Sequence, residues 1–127
     1  MPPGITENDI NEYRGFIYVI RHKATGRQYI GRKTLWSKRG KKIVESDWRR
    51  YWGSSGPLRA AVRAEGPEAF EREIIRFCRS DREMTYAETR ELWRRDVLSA
   101  TLDDGTPAYW NQNIGGRWFQ KDWTAWG

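Results

Sequence analysis

The apolar positions of this chain fall into a few short runs separated by strongly polar stretches. Phe16-Ile17-Tyr18-Val19-Ile20 is a nearly continuous aromatic and β-branched run, and Gln28-Tyr29-Ile30-Gly31 is a second, shorter one. Such runs predict strands, and Gly26 between them takes positive φ at no steric cost, so the pair reads as a β-hairpin with His22 in its turn, facing solvent. From Pro57 to Ala64, Leu58, Ala61 and Val62 recur at helical spacing behind a proline suited to a first helical turn, and Gly66-Pro67 ends that helix. Phe70 to Cys78 sets Ile75 and Phe77 two apart and predicts a third strand. The clearest helix runs from Met84 to Leu98, with Met84, Ala87, Leu92, Trp93, Val97 and Leu98 on its buried stripe. Asp103 to Pro107 is a turn, and an aromatic-rich stretch follows from Tyr109. The predicted class is α+β, a small three-stranded antiparallel sheet flanked by helices, in one domain over residues 14–118. Residues 1–13, with Pro2, Pro3 and Gly4, read as a loose lead, and 119–127 as an aromatic tail folded back on the core.

Composition narrows the chemistry. Lys and Arg number 23 against 17 Asp and Glu, a formal charge of +6, which points to a polyanionic partner, nucleic acid first. The excess is concentrated between Arg32 and Arg50, where Arg32, Lys33, Lys38, Arg39, Lys41, Lys42, Arg49 and Arg50 face only Glu45 and Asp47. This stretch reads as a long basic loop. Trp36, Trp48, Tyr51 and Trp52 interleave with its charges, a mixture suited to phosphate contacts with stacking, or more plainly to a solvated basic face over buried tryptophans. One cysteine, Cys78, and one histidine, His22, exclude an intrachain disulfide, a Cys/His zinc site and a two-histidine metal centre. Catalysis then falls to Tyr, Glu, Asp, Lys or Arg. No run of about 18 apolar residues occurs, and the leading MPPGITENDINEY is polar and acidic, so the expectation is a soluble cytoplasmic protein with Cys78 a free core thiol.

Tyr18 and Tyr29 lie eleven positions apart across the hairpin turn, and on paired antiparallel strands two such residues share one face of the sheet. Two strand tyrosines alone are more often packing residues. Here, however, FIY at 16–18 followed by YIG at 29–31 resembles the GIY-YIG nuclease superfamily, with Phe16 where the family usually has glycine and Gly15 directly before it. The resemblance extends through GSSGPLRAAVRAEGPEAF at 53–70, YAETRELW around Glu88, and YWNQNI from Tyr109 with Asn111 in the family's asparagine slot. The basic insertion after YIG and the WRRYWGSS segment are most similar to phage-encoded, free-standing members of the homing type.

That resemblance implies a metal-dependent DNA endonuclease that hydrolyses one strand per active site. Glu88 would hold a largely hydrated Mg²⁺, with Mn²⁺ a substitute, since Mg²⁺ is content with one or two carboxylates plus waters. Tyr18 would be the general base and Tyr29 would orient water or phosphate. The family's catalytic arginine has no direct match: Arg32 is favoured because a guanidinium fits a phosphate bidentately, with Lys33 next, then Arg39, Arg49 and Arg50. Glu91 is the alternative to Glu88, which is preferred because Leu92 follows it by one turn. Lys33, Arg39, Lys41, Lys42, Arg49, Arg50, Ser54, Ser55 and Asn111 would form the nucleic-acid surface, although Asn111 also reads as a backbone bridge near Gly115-Gly116. A phage protein or a second copy would be the protein partner. Two other readings compete: a noncatalytic nucleic-acid-binding module on the same fold, and a small packaging protein, which explains the charge but not the tyrosine spacing. GRQYIGRKT at 26–34 nearly spells a phosphate-binding loop, but its Tyr29-Ile30 is strand-like and the surrounding alternation of strands and helices is missing.

Overall fold

A computed structural model describes residues 7–120 of the chain. In order along it lie β1 (Gly15–His22), β2 (Gln28–Thr34), β3 (Trp36–Arg39), β4 (Lys42–Glu45), α1 (Gly56–Glu65), β5 (Phe70–Cys78), α2 (Asp81–Arg94), β6 (Asn113–Ile114) and β7 (Trp118–Phe119). The three predicted strands form one antiparallel sheet in the order β2-β1-β5. Alternation along these strands feeds two cores. Phe16, Tyr18 and Ile20 meet Trp48, Leu58, Val62, Phe70 and Trp110 on the α1 side, while Ile17, Val19 and Ile30 meet Met84, Ala87, Leu92, Val97 and Tyr109 on the α2 side. Burial on both faces is why β1 reads as a continuous apolar run rather than an alternating one. Ser55 caps α1, its hydroxyl accepting from the Leu58 N–H at 3.3 Å, and Ser80 caps α2 through the Glu83 N–H at 3.1 Å. Among the described residues no helix is long and apolar enough to cross a membrane, and Cys78 is buried and unpaired.

The structure departs from the sequence reading in five places. The basic stretch is not a loop: β2 runs on to Thr34, and β3 and β4 then form a second hairpin that turns at Gly40 with φ +62°. Both faces of that hairpin are largely solvated, Ile43 being 69% exposed, so it carries no burial alternation to read. The long helix starts earlier, at Asp81, and stops at Arg94, after which Asp96 adopts φ +54° and turns the chain. Val97 and Leu98 enter the core from that turn, and Trp93 is displaced to the surface, edge-on to Trp118 at 6.1 Å. Residues 7–13 are not loose, because a 3-10 turn over Glu7–Glu12 buries Ile10 and sets Tyr13 against Phe77 at 5.2 Å. His22 is buried: it ends β1, its Nδ1 and Nε2 lie 2.8 and 2.9 Å from Thr25 Oγ1 and Glu65 Oε1, and it packs on Phe70. Trp118 and Phe119 form an exposed strand instead of folding back onto the core. Residues 1–6 and 121–127, with Trp123 and Trp126, lie outside the described residues.

Two glycines fix the tyrosine-bearing hairpin. Tyr18 is register partner to Gly31, and a Cβ on Gly31 would overlap the Tyr18 hydroxyl and ring. Gly15 serves the strand entrance, where a Cβ would strike the Lys33 carbonyl and the Met84 sulfur, and Phe16 fills the core against Trp48 and Phe77. Gly31→Ala is therefore expected to lower stability by about 1–3 kcal/mol through overpacking, read from its urea unfolding midpoint.

Candidate active site

Tyr29 pairs with Ile20, two residues from Tyr18, so both tyrosine rings stand on one face of the sheet with centroids 6.3 Å apart. A β-bulge lies beside them: Ile17 faces Arg76 but Tyr18 faces Ile74, a local twist of the kind that re-aims a side chain. A third tyrosine completes the group. Tyr51 stands edge-on to Tyr18 at 6.1 Å and shares a hydrogen bond with its hydroxyl. The turn carrying Tyr51 is pinned from below by Arg72 of β5, whose guanidinium donates to the carbonyls of Trp48, Tyr51 and Arg49 at 3.0, 2.6 and 3.0 Å. Lys33 caps it from the other side, with its ammonium 4.1 Å from the Tyr51 ring centre and 2.6 Å from Asp47 Oδ1.

Beside the tyrosines opens a polar cavity of about 370 Å³, whose walls include Tyr29, Ser54, Ser55, Glu88, Trp110 and Asn113. Ser54 Oγ lies 3.0 Å from the Tyr29 hydroxyl. Glu88 projects from α2, and Arg32 from the end of the YIG strand reaches it, Nε to Oε1 at 3.8 Å, while Arg32 Nη1 donates to Thr85 Oγ1 at 2.6 Å. Glu91 is engaged elsewhere, accepting from Arg94 and Arg95. Asn111 is buried and bridges backbone, though not that of the glycine pair: its Oδ1 accepts the Ile30 N–H at 2.9 Å and its Nδ2 donates to the Ile30 carbonyl at 2.8 Å. That amide continues a backbone pairing, Gln28 N–H to Ala108 and Trp110 N–H to Gln28, which covers the outer edge of β2. Tyr18 is 2% exposed and lies behind Tyr29 rather than on the cavity wall. The structure thus gathers Tyr29, Glu88, Ser54, Ser55 and Asn111 on one cavity wall, with Tyr18 packed against Tyr29 and Arg32 reaching Glu88 from β2. Arg39, Lys41 and Lys42 sit apart on the β3–β4 hairpin, and Arg49 stacks over Trp48 at 4.3 Å while pairing with Glu45.

Burial dominates the electrostatics of this site. It pushes the Tyr18 hydroxyl far above the ordinary tyrosine range, and negative charge on Tyr29, Tyr51 or Glu88 pushes it further. Tyr29 is raised by burial, with the Ser54 hydrogen bond offsetting part of the effect. Glu88 is raised by burial too, against the opposing pull of Arg32. All three acids therefore favour their protonated forms, and added positive charge in the cavity would ionise them.

The family model described as "Putative endonuclease segE, GIY-YIG domain" matches residues 3–114, a span that contains the whole sheet, both helices and every residue gathered about the cavity. The chain belongs to the GIY-YIG endonuclease family. No curated protein and no solved structure matches it. As a member it is a phosphodiester-hydrolysing nuclease whose substrate is DNA, and its α+β architecture is that of the family.

GIY-YIG nucleases are generally divalent-metal dependent, and the donor set agrees with an ion that keeps most of its own water. Among the described residues the cavity wall carries one carboxylate, Glu88, and no three His, Cys, Asp or Glu side chains gather as a cage. Sequence reasoning missed the structural parts of this site. Tyr51 is visible in the sequence as one aromatic among several in the basic stretch, and neither Arg72 nor Thr85 carries a signal, since each acts through contacts that only the folded sheet creates.

Two outcomes follow from this geometry. Asn111→Ala strands a buried N–H and a buried C=O of Ile30, and should cost roughly 2–4 kcal/mol by denaturant titration. For Glu88, folding raises the pKa, so between the ordinary glutamate value and the raised one the native state binds more protons and stability falls as pH rises. In EDTA at pH ~7, Glu88→Gln should consequently melt at a higher temperature than the parent, with the gap closing below about pH 4, where both states protonate the parent glutamate.

Proposed function

We propose that this chain is a divalent-metal-dependent DNA endonuclease that cuts one strand per active site, using Mg²⁺ or in its place Mn²⁺. The observation that carries the reading is the Arg32–Glu88 pair, a desolvated carboxylate facing a guanidinium at 3.8 Å on α2 and β2, at the cavity that Tyr29 and Ser54 line. A binding module needs the basic hairpin but has no use for a half-buried carboxylate opposed in this way. Phosphodiester hydrolysis requires an oriented water, a proton acceptor, and charge neutralisation on the phosphate oxygens.

Each requirement has a candidate here. Glu88 would hold the hydrated ion, which supplies Lewis-acid stabilisation of the departing 3′ oxygen when bound. Arg32, with two edges of its guanidinium, serves the nonbridging oxygens. The Tyr29 hydroxyl at the wall orients water, and Tyr18 directly behind it is the general base; burial and its hydrogen bond to Tyr51 both hold its proton, so cationic charge brought into the cavity is what would release it. Arg39, Lys41, Lys42, Arg49, Arg50, Ser54 and Ser55 contribute the DNA-facing surface, while Lys33 and Asn111 serve it by holding Tyr51 and β2 in place. We further infer a phage-encoded protein acting in the bacterial cytoplasm, where a buried free thiol such as Cys78 persists, with a second copy or a phage protein needed for double-strand cuts.

Cleavage of supercoiled plasmid tests the reading. With Mg²⁺ or Mn²⁺ the parent should convert it to open circles, and EDTA should stop this. Glu88→Ala and Tyr18→Phe should each lower the rate by about 10²- to 10⁴-fold at matched DNA affinity. Undiminished nicking by both variants, or binding without cleavage in every metal, would overturn it.

A further inference from the structure

A second cleft, of about 280 Å³, lies on the far side of the segment that borders the catalytic cavity, and its walls include Asp47, Arg50, Trp52, Gly53, Arg59 and Arg63. Its three arginines differ from those that build the ion pairs of this protein. Among the described residues Arg14, Arg21, Arg32, Arg49, Arg76, Arg94 and Arg95 each face a carboxylate within ion-pair distance. Arg50, Arg59 and Arg63 face none at that range, although all three are exposed. The cleft does contain a carboxylate, but Asp47 is held by Lys33 at 2.6 Å. Arg59 and Arg63 stand one turn apart on α1, a spacing at which like charges repel and weaken a helix. A cleft that concentrates guanidinium groups in excess of its one carboxylate is complementary to an anion.

The position of the cleft selects which anion. Residues 51–55 form a partition: Tyr51, Trp52 and Gly53 line the cleft, and Ser54 and Ser55 line the catalytic cavity. Gly53 at the middle of this partition has φ +87° and lies close against Leu58, Tyr29 and the Tyr18 hydroxyl, so the partition is seated directly on the tyrosine pair. A DNA strand with its reacting phosphate at Glu88 and Arg32 that continues over this partition brings another backbone phosphate to the arginines. Guanidinium groups bind such oxygens bidentately, and on this geometry the contact is to the backbone and not to a base.

We propose that Arg50, Arg59 and Arg63 form a second phosphate subsite, which anchors a nonreacting phosphodiester of the cleaved strand and sets which linkage enters the catalytic cavity. The inference rests on the nuclease reading above and adds to it a point of purchase outside the chemistry. Arg59 and Arg63 act here as positioning residues.

The experiment is a phosphate-by-phosphate cycle. Duplexes carrying a single neutral methylphosphonate at each linkage within a helical turn of the cut are bound and cleaved by the parent, by R59Q/R63Q and by R59K/R63K, over a range of salt. At one or two linkages beside the cut, neutralisation should weaken the parent but not R59Q/R63Q. The slope of log affinity against log salt should fall for R59Q/R63Q by about 0.9 for each phosphate that the variant no longer neutralises, and R59K/R63K should recover it. The loss should fall on KM rather than kcat, and the cut should spread to neighbouring linkages. If the parent cleaves DNA but R59Q/R63Q keeps its salt slope and its sensitivity to every methylphosphonate, the subsite is wrong and the nuclease reading stands. If the parent neither binds nor cleaves, both fail. Folding of each variant is checked by its melting temperature, and a double lysine variant that folds yet behaves like R59Q/R63Q would remove the role assigned to charge.

Discussion

The Tyr18 ring is the constraint on which the rest of the structure depends. It is carried by the central strand, it is almost wholly buried, and its hydroxyl occupies the space that Gly31 leaves open. Gly31 gives up its side chain because it is the register partner of Tyr18, while Gly53, in the segment beside it, is required by its φ of +87°. From this single placement follow the ring contacts with Phe16, Tyr29 and Tyr51, and through Tyr51 the need for Arg72 and Lys33 to fix an irregular turn. The polar ends of buried tyrosines require partners, and the chain satisfies them with hydroxyls, Tyr51 for Tyr18 and Ser54 for Tyr29, rather than with carboxylates.

That arrangement has an electrostatic consequence. Three phenols and a carboxylate share a poorly solvated region, so charge on its neighbours makes ionisation of Tyr18 and Tyr29 harder, and burial raises Tyr18, Tyr29 and Glu88 together. Arg32 offsets this at Glu88, but at 3.8 Å and with its other edge on Thr85 it does not cancel it. The site is therefore held in a state that added cationic charge would change most. A fully neutralised site would be more stable and less reactive.

The central hairpin, the third strand and α1 are legible in the sequence because burial on a sheet face and helical spacing leave periodic marks at Phe16–Ile20, Ile75 and Phe77, and Leu58 and Val62. The spacing of Tyr18 and Tyr29 places them on one sheet face for the same reason, since a strand has a period of two. What fails to show lacks such marks. The β3–β4 hairpin is solvated on both sides, and its only partly buried members, Trp36 and Val44, are too few to set a pattern. Ile10 and His22 are buried by elements distant in sequence, the 3-10 turn over the sheet and the end of α1 at Glu65, so no local window contains the cause. A single stripe that holds both Trp93 and Leu98 presupposes a helix continuing past Asp96, whose left-handed conformation no nearby glycine announces. Within the site, periodicity favours Glu88 over Glu91, whereas the Arg95 pairing that occupies Glu91 arises from the turn after the helix.

Charge in this protein is sorted by position rather than merely in excess. Between Arg32 and Arg63 stand ten cationic side chains and two acidic ones, so this stretch more than accounts for the formal +6 and the remainder is slightly acidic. The same interval supplies the basic hairpin, the turn bearing Tyr51, the partition over the tyrosines and the exposed flank of α1. Two groups of its cations contrast. Lys33 and Arg49 are committed to Asp47 and Glu45 and to aromatic faces, and so hold the turn in shape. Arg50, Arg59 and Arg63 are left without a close carboxylate of their own beside the partition, a self-repulsion that a polyanion laid against them would relieve. Where the chain neutralises its own charge it builds structure, and where it leaves that charge open it offers a surface complementary to a polyanion.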